Sequence, residues 1–382
     1  MQTQTIQTTE MSWPRFIGLL QTDGSFIFFW EADKTLKPKV ILTAGLKNQY
    51  MLSNVVKPWL QTQGILSQIQ KKTGESGITY NLSVERQDQV LKVIDKIDQC
   101  SAKQLAQLLD EKLTDYLVLK HVLKRTKEKK TGKTKDERVA IFKPLVDLKT
   151  ILLEKNKAKN HQDSEKKRAE TEKKLEISDT KGCGAALYID LVAQSKQLSS
   201  QFVKKFGETG ENCTSYSIEL GQYVAGIIDG DGSFQVNFII HEDKRPNYEF
   251  KPAFTLTDGG LATEKHSIFE LFNRFFGNST KVQPVQDGKN SRLTINSEKV
   301  LSQMVQFIPK VQLVLVKNIT RFTTMKQVVG NKSKLGTDQE FALLVSESIE
   351  MNFADSEQYR NYKRQDRDAI INKYFEDSRK TF

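Results

Sequence analysis

Residues 16–26 read FIGLLQTDGSF, and residues 224–234 read VAGIIDGDGSF. Each is an apolar run with an early glycine that breaks off at Asp-Gly-Ser-Phe. One Asp-Gly is simply a common turn. Two copies with the same Gly-Ser-Phe flank predict a duplicated unit.

The flanking sequence repeats as well. After the first copy come FIFFWE, KVILTAGL, a helical stretch around QYMLSNVVKPWLQ, ILSQIQKK, ITYNLSVER and the helical DQVLKVIDKI. After the second come QVNFIIHED, KPAFTLTD, the helical EKHSIFELFNRFFG, TKVQPVQDG, SRLTINSEK and the helical EKVLSQMVQFI. Both read helix, strand, strand, helix, strand, strand, helix. A further helix closes each set, TDYLVLKHVLK and VQLVLVKNITRF. The fold class is α+β, with a first half over 1–125 whose closing helix could extend to about 155, and a second half over 216–382. Residues 126–215 read as a charged helical or flexible linker, because their densest part, 126–182, cannot bury a core.

Within each repeated stretch a helix is predicted. Ser12 before Trp13-Pro14, and Ser217 with Glu219, are helix starts. Gly24 and Gly232 stand where a left-handed residue ends a helix. Gly18 and Thr22 are four apart, as are Gly226 and Gly230, so small residues line one face of each helix and let two backbones approach closely. If the copies pack on each other, these four form the helix interface. Asp23 and Asp231 then end the two helices side by side. Each carboxylate sits at the negative end of a helix dipole and faces a like charge, which calls for a cation between them. Mg²⁺ prefers carboxylate oxygens, water and phosphate. Metal-bridged carboxylates beside a phosphate are the working parts of phosphodiester hydrolysis.

The strands alternate with period two, which predicts half-covered antiparallel sheets. Gln235, Asn237 and His241 share the polar face of one strand; Arg292, Thr294 and Asn296 share that of another. In the first half Asn81 and Ser83, with Gln68 and Gln70 on the neighbouring strand, do the same. Amides, hydroxyls and basic groups are the side chains that read base edges, although a solvated sheet face has the same composition. FIFFWE breaks the pattern by placing Ile27 and Phe29 on the polar face.

The formal net charge of +11 over 382 residues favours a polyanionic partner, nucleic acid or an anionic membrane surface. No apolar run approaches the ~20 residues that span a bilayer. MQTQTIQTTE has neither a basic n-region nor an apolar h-region, which predicts work in the compartment of synthesis. Cys100, Cys183 and Cys213 lie far apart, so neither a disulfide framework nor a zinc site is indicated.

Phe16–Gly24 and Val224–Gly232 resemble the motif of the LAGLIDADG homing endonucleases in their single-chain, two-motif form. The resemblance covers nearly all of both halves and leaves the charged insert outside. It implies two pseudo-symmetric αββαββα halves packed through the motif helices, each with a saddle-shaped antiparallel sheet lying on double-stranded DNA. It implies that Asp23 and Asp231 bind a catalytic Mg²⁺, or another divalent ion such as Mn²⁺, assisted by the main-chain carbonyls of Thr22 and Gly230. Gln21 stands where the family often has Asp; the metal position itself is kept in both copies, so Gln21 bears on the symmetry of the two sites. The family also places a basic residue near each site, which suggests Lys112 and Lys310. The implied activity is site-specific cutting of both strands of a long asymmetric target by a monomer, of a kind encoded in introns of chloroplasts or mitochondria. A maturase acting on its own intron RNA, or a DNA-binding regulator on the same scaffold, remains an alternative.

Overall fold

The computed structural model describes residues 11–31, 35–74, 77–127, 184–208, 210–240, 248–259, 266–277, 283–284, 290–331 and 343–344. The chain divides into two compact units, one of residues 1–18 with 206–382, the other of residues 19–205.

In the first half α1 (Trp13–Asp23) passes directly into β1 (Gly24–Trp30), which pairs with β2 (Leu36–Gly45). Short helical turns follow, including α2 (Gln49–Met51) and α3 (Lys57–Thr62). Then come β3 (Gln68–Gly74), β4 (Gly77–Val84), α4 (Gln87–Ala102) and α5 (Asp110–Lys127). The second half repeats the order with α7 (Ile218–Asp231), β5 (Gly232–Ile240), β6 (Tyr248–Gly259), α8 (Ser267–Phe276), β7 (Gln283–Pro284), β8 (Asn290–Ile295), α9 (Glu298–Val311) and α10 (Val316–Asn331). The strand orders are β1-β2-β4-β3 and β5-β6-β8-β7, antiparallel throughout. The α+β reading with two equivalent sheets therefore holds.

Period two sets the buried face of each sheet. Phe26, Val40, Leu42, Leu82 and Val84 point to the helices in one, and Phe234, Val236, Phe254, Leu256, Leu293 and Ile295 in the other. The closing helices meet these faces through equivalent ring pairs: Phe26 lies edge-on to Tyr116 of α5 at 5.5 Å, and Phe234 to Phe322 of α10 at 5.5 Å. Around the second sheet Phe272, Phe275, Phe276 and Phe307 are fully buried. Removal of any one of them costs about 3–5 kcal/mol by the usual cavity argument.

Two expectations are corrected. Gly232 is not left-handed; it is extended, with φ −70 and ψ 139, and Gly24 is not among the positive-φ residues either. Each is glycine for want of room: a Cβ on Gly232 would lie 2.5 Å from the carbonyl oxygen of Ile228, and one on Gly24 would strike that of Leu20. The abrupt passage from helix to strand lays each glycine on the last turn. Left-handed glycines end other helices, as Gly277 (φ 63) does after α8.

The second correction concerns 126–215. Its residues 128–183 lie outside the described residues, but 184–208 form the long helix α6 (Gly184–Glu208). Leu191, Ser195, Ser199, Phe202 and Val203 recur at helical spacing and are buried, so this segment is packed rather than a solvated linker. The unit boundary falls at 205/206, ahead of the 215/216 of the sequence reading, because Phe206 packs on Phe275, with ring centres 6.0 Å apart.

Candidate active sites

The second motif helix is capped as its sequence predicts, with Ser217 Oγ accepting from the Leu220 N–H at 3.3 Å. From Leu220 to Asp229 all but Gln222 are buried. The start of α1 lies against it: a Cβ on Gly18 would strike the Tyr223 carbonyl and come within 3.0 Å of the Gly226 Cα, and one on Gly226 would strike the Arg15 carbonyl. Thr22 instead turns its Oγ1 back to the Leu19 carbonyl at 2.9 Å, and Gly230 is part-buried near the end of α7.

The sequence reading missed Arg15 and Asp229. Both are fully buried and paired at 2.7 Å. Arg15 also donates to Gln222 Oε1 and the Val311 carbonyl, both at 3.0 Å. Asp229 accepts from the Val314 and Leu315 N–H groups at 3.1 Å each, and so pins the loop that leads into α10. Burial pushes the Asp229 carboxyl above the ordinary range, against the pull of Arg15 and the two amides. In the first half Gln21 occupies the corresponding place: its Oε1 accepts from the Leu109 N–H at 2.7 Å, in the loop that leads into α5. The departure from Asp at Gln21 thus concerns loop anchoring and leaves Asp23 in place.

Asp23 is the last residue of α1, in the unit of residues 19–205; Asp231 is the last residue of α7, in the other unit. Each stands immediately before the first strand of a sheet. The Asp23 carboxyl is pushed up to about 6 by burial, with the Lys112 ammonium opposing. Lys112, in the first turn of α5, donates to the carbonyl of Gly24, the residue after Asp23.

Lys310 is corrected. It is exposed on α9, where its charge acts on the buried Cys213 thiol. Leu109 and Leu315 are equivalent, since Gln21 and Asp229 bind their N–H groups, and so are Tyr116 and Phe322. Three residues beyond Leu109 is Lys112; three beyond Leu315 is Asn318. Asn318 is buried and donates to the Ile228 and Asp229 carbonyls at 2.9 and 3.1 Å, closing the end of α7. Setting FIPKVQLVLVK on the first half by Lys310 follows a letter, whereas the hydrogen bonds set the register eight residues further on, at Asn318.

Each motif acid can take part in holding a hard cation. Among the described residues no three His, Cys, Asp or Glu side chains cluster. Each helix end offers one carboxylate, Asp23 or Asp231, next to the main-chain carbonyls of its last turn. An all-oxygen set that leaves positions for water and phosphate suits Mg²⁺, and does not suit zinc.

The sheet-face residues divide. Gln68 and Gln70 are exposed on β3, and Asn237 is exposed opposite Lys251. Gln235, Arg292 and Thr294 are part-buried on the same open face; Asn296 is exposed just past β8; His241 lies outside the described residues. Asn81 and Ser83 pair with Gln70 and Gln68 but are themselves buried, at 7% and 3% exposure. β4 is a central strand, and its polar groups are used within the sheet: Thr43 Oγ1 donates to Asn81 Oδ1 at 3.1 Å, and Ser83 Oγ to Glu85 Oε1 at 2.9 Å. Register adds Lys37, Lys39, Lys72 and Lys251 to these faces. In a lysine-rich chain, single lysines give no signal until pairing places them. Lys39 also gives Phe29 of FIFFWE a partner on the open face, since its ammonium lies 5.1 Å from the centre of that ring.

Residues 224–329 match the family model described as LAGLIDADG endonuclease. No curated protein matches the sequence. Among solved structures, a lysine-to-alanine variant of I-SmaMI aligns with a TM-score of 0.59 at 16% identity, covering 90% of this chain and 99% of that one. I-SmaMI bound to an uncleaved DNA target with calcium ions aligns at 0.59 and 17%, with the same coverage. The LAGLIDADG meganuclease I-AabMI bound to uncleaved DNA aligns at 0.56 and 11%, covering 89% and 99%. The likeness read from the two motifs is met by the family model over the second half, and by the fold over nine-tenths of the chain.

Proposed function

We propose that the protein is a site-specific DNA endonuclease that cuts both strands of a long duplex target with a divalent metal ion, as an intron-homing enzyme does. The observation that carries the reading is the recurrence, in both halves, of an acid that ends a motif helix where it passes into the first strand of a polar-faced sheet. The DNA-bound I-SmaMI and I-AabMI structures of the same fold support it.

Asp23 with the Thr22 carbonyl, and Asp231 with the Gly230 carbonyl, would hold the ion. When bound, Mg²⁺ supplies charge stabilisation at the phosphodiester and a more acidic water. Lys112 places a positive charge beside Asp23 that favours both the ionised carboxyl and an incoming phosphate. Gln68, Gln70, Gln235, Asn237, Arg292 and Thr294 would face base edges, and the lysines of the two sheets would face phosphate.

The test offers purified protein and Mg²⁺ a randomised duplex library, beside the Asp23→Asn, Asp231→Asn double variant. Cutting at one long site, lost in the double variant by more than about a hundredfold, is expected, since even outer-shell changes at metal sites cost 10–100-fold. Tight binding without cutting in active buffer would move the function to a non-cutting nucleic-acid binder, and full cutting by the double variant would remove the two acids from the chemistry.

A further inference from the structure

We propose that Arg321 supplies beside Asp231 the positive charge that Lys112 supplies beside Asp23, so the two strands are cut by differently built sites; this rests on the endonuclease reading above.

The register between the halves carries the argument. With Leu109 set on Leu315 and Tyr116 on Phe322, Lys112 falls on Asn318 and Asp115 on Arg321. The position that is basic in the first half is thus a buried amide in the second, bound to the carbonyls that close α7. One turn further along the closing helix Arg321 stands at a position that is acidic in the first half. Arg321 returns to the same junction: its Nη1 donates to Ser233 Oγ at 3.1 Å, two residues past Asp231. Lys112 binds the carbonyl one residue past Asp23. Both cations therefore reach the passage from motif helix to first strand, and both are part-exposed. From a turn further along, the longer arginine still spans the gap.

The exchange has chemical content. A guanidinium presents a planar fork that matches two phosphate oxygens, and it stays protonated at any working pH. It can hold the charge that develops on the phosphate but cannot accept a proton from the attacking water. An ammonium is a compact charge whose proton can be lost. Loss of Arg321 should therefore slow one strand only.

The experiment uses the selected duplex with a different label on each strand, and the full-length protein with Mg²⁺. The strand that survives intact with Asp231→Asn identifies the one served by the second half. Arg321→Gln is expected to slow that strand about 10- to 100-fold and the other less than about twofold, with duplex affinity and melting temperature close to wild type. Lys112→Met should do the reverse, and Arg321→Lys should recover part of the lost rate. Slowing of neither strand, or of both equally, by a folded and DNA-binding Arg321→Gln variant overturns this inference and leaves the endonuclease reading standing. A wild type that cuts no duplex overturns that reading and this inference together.

Discussion

The two halves fix the loop ahead of their closing helix by different chemistry at equivalent places. The first uses the neutral Gln21, whose amide oxygen takes the Leu109 N–H, and adds Ser195 and Ser199 of α6, which bind the carbonyl and N–H of Asp110 at 2.7 and 2.8 Å. These bonds hold Asp110 in a left-handed conformation (φ 50), two residues before Lys112. The second half uses the ionisable Asp229, which takes two N–H groups and is matched by Arg15. What the fold requires there is a hydrogen-bond acceptor. A carboxylate accepts more bonds than an amide, but its burial is tolerable only with a partner charge.

The largest test of this contrast is Arg15→Met. It leaves Asp229 buried and unpaired and should cost about 3–5 kcal/mol in urea unfolding, with most of the loss recovered when Asp229→Asn is added. If Arg15→Met is silent, the pair is not what carries the second half. Gly226→Ala comes next: its methyl meets the Arg15 carbonyl, and a loss of about 1–3 kcal/mol is expected for overpacking against backbone.

The third test concerns Asp23. Its carboxyl titrates near 6 in the fold and at 3.8 ordinarily. Between those values the folded chain keeps a proton that the unfolded chain releases, so stability falls as pH rises through this window. Above it the ionised, metal-free carboxyl costs up to about 3 kcal/mol, with Lys112 already counted. Asp23→Asn should therefore raise the melting temperature in chelator at pH 7.5 and lose that advantage near pH 4. Equal gains at both pH values would assign the effect to something other than the charge. The smallest change is expected from Gln21→Leu, which strands the Leu109 N–H and should cost about 1–2 kcal/mol by the same unfolding assay. A cost as large as that of Arg15→Met would erase the distinction between the halves.

Much of this architecture is legible in the letters. Period-two alternation gave the buried and open faces of both sheets, and the repeated helix endings marked Asp23 and Asp231. Ser217 announced the start of α7. Other readings failed for definite reasons. Asn81 and Ser83 alternate correctly but lie on a central strand, where their polar groups are consumed by Thr43 and Glu85. Lys310 matched a lysine by letter, but a helix end and a four-residue loop intervene before α10 begins at Val316. The glycines after the motif acids were rightly marked as special, for a torsion they do not adopt.

The duplicated order of elements, an acid at the end of each motif helix and the polar strand faces can be read from the letters, because each is a local pattern of period, cap or turn. That Arg15 meets Asp229 across 214 residues, that α6 braces Asp110, and that Asn318 and not Lys310 matches Lys112 emerges only once the chain is folded. Those pairings depend on which distant side chain fills a buried valence, and hydrogen-bond satisfaction in a closed core leaves no periodic trace in the chain.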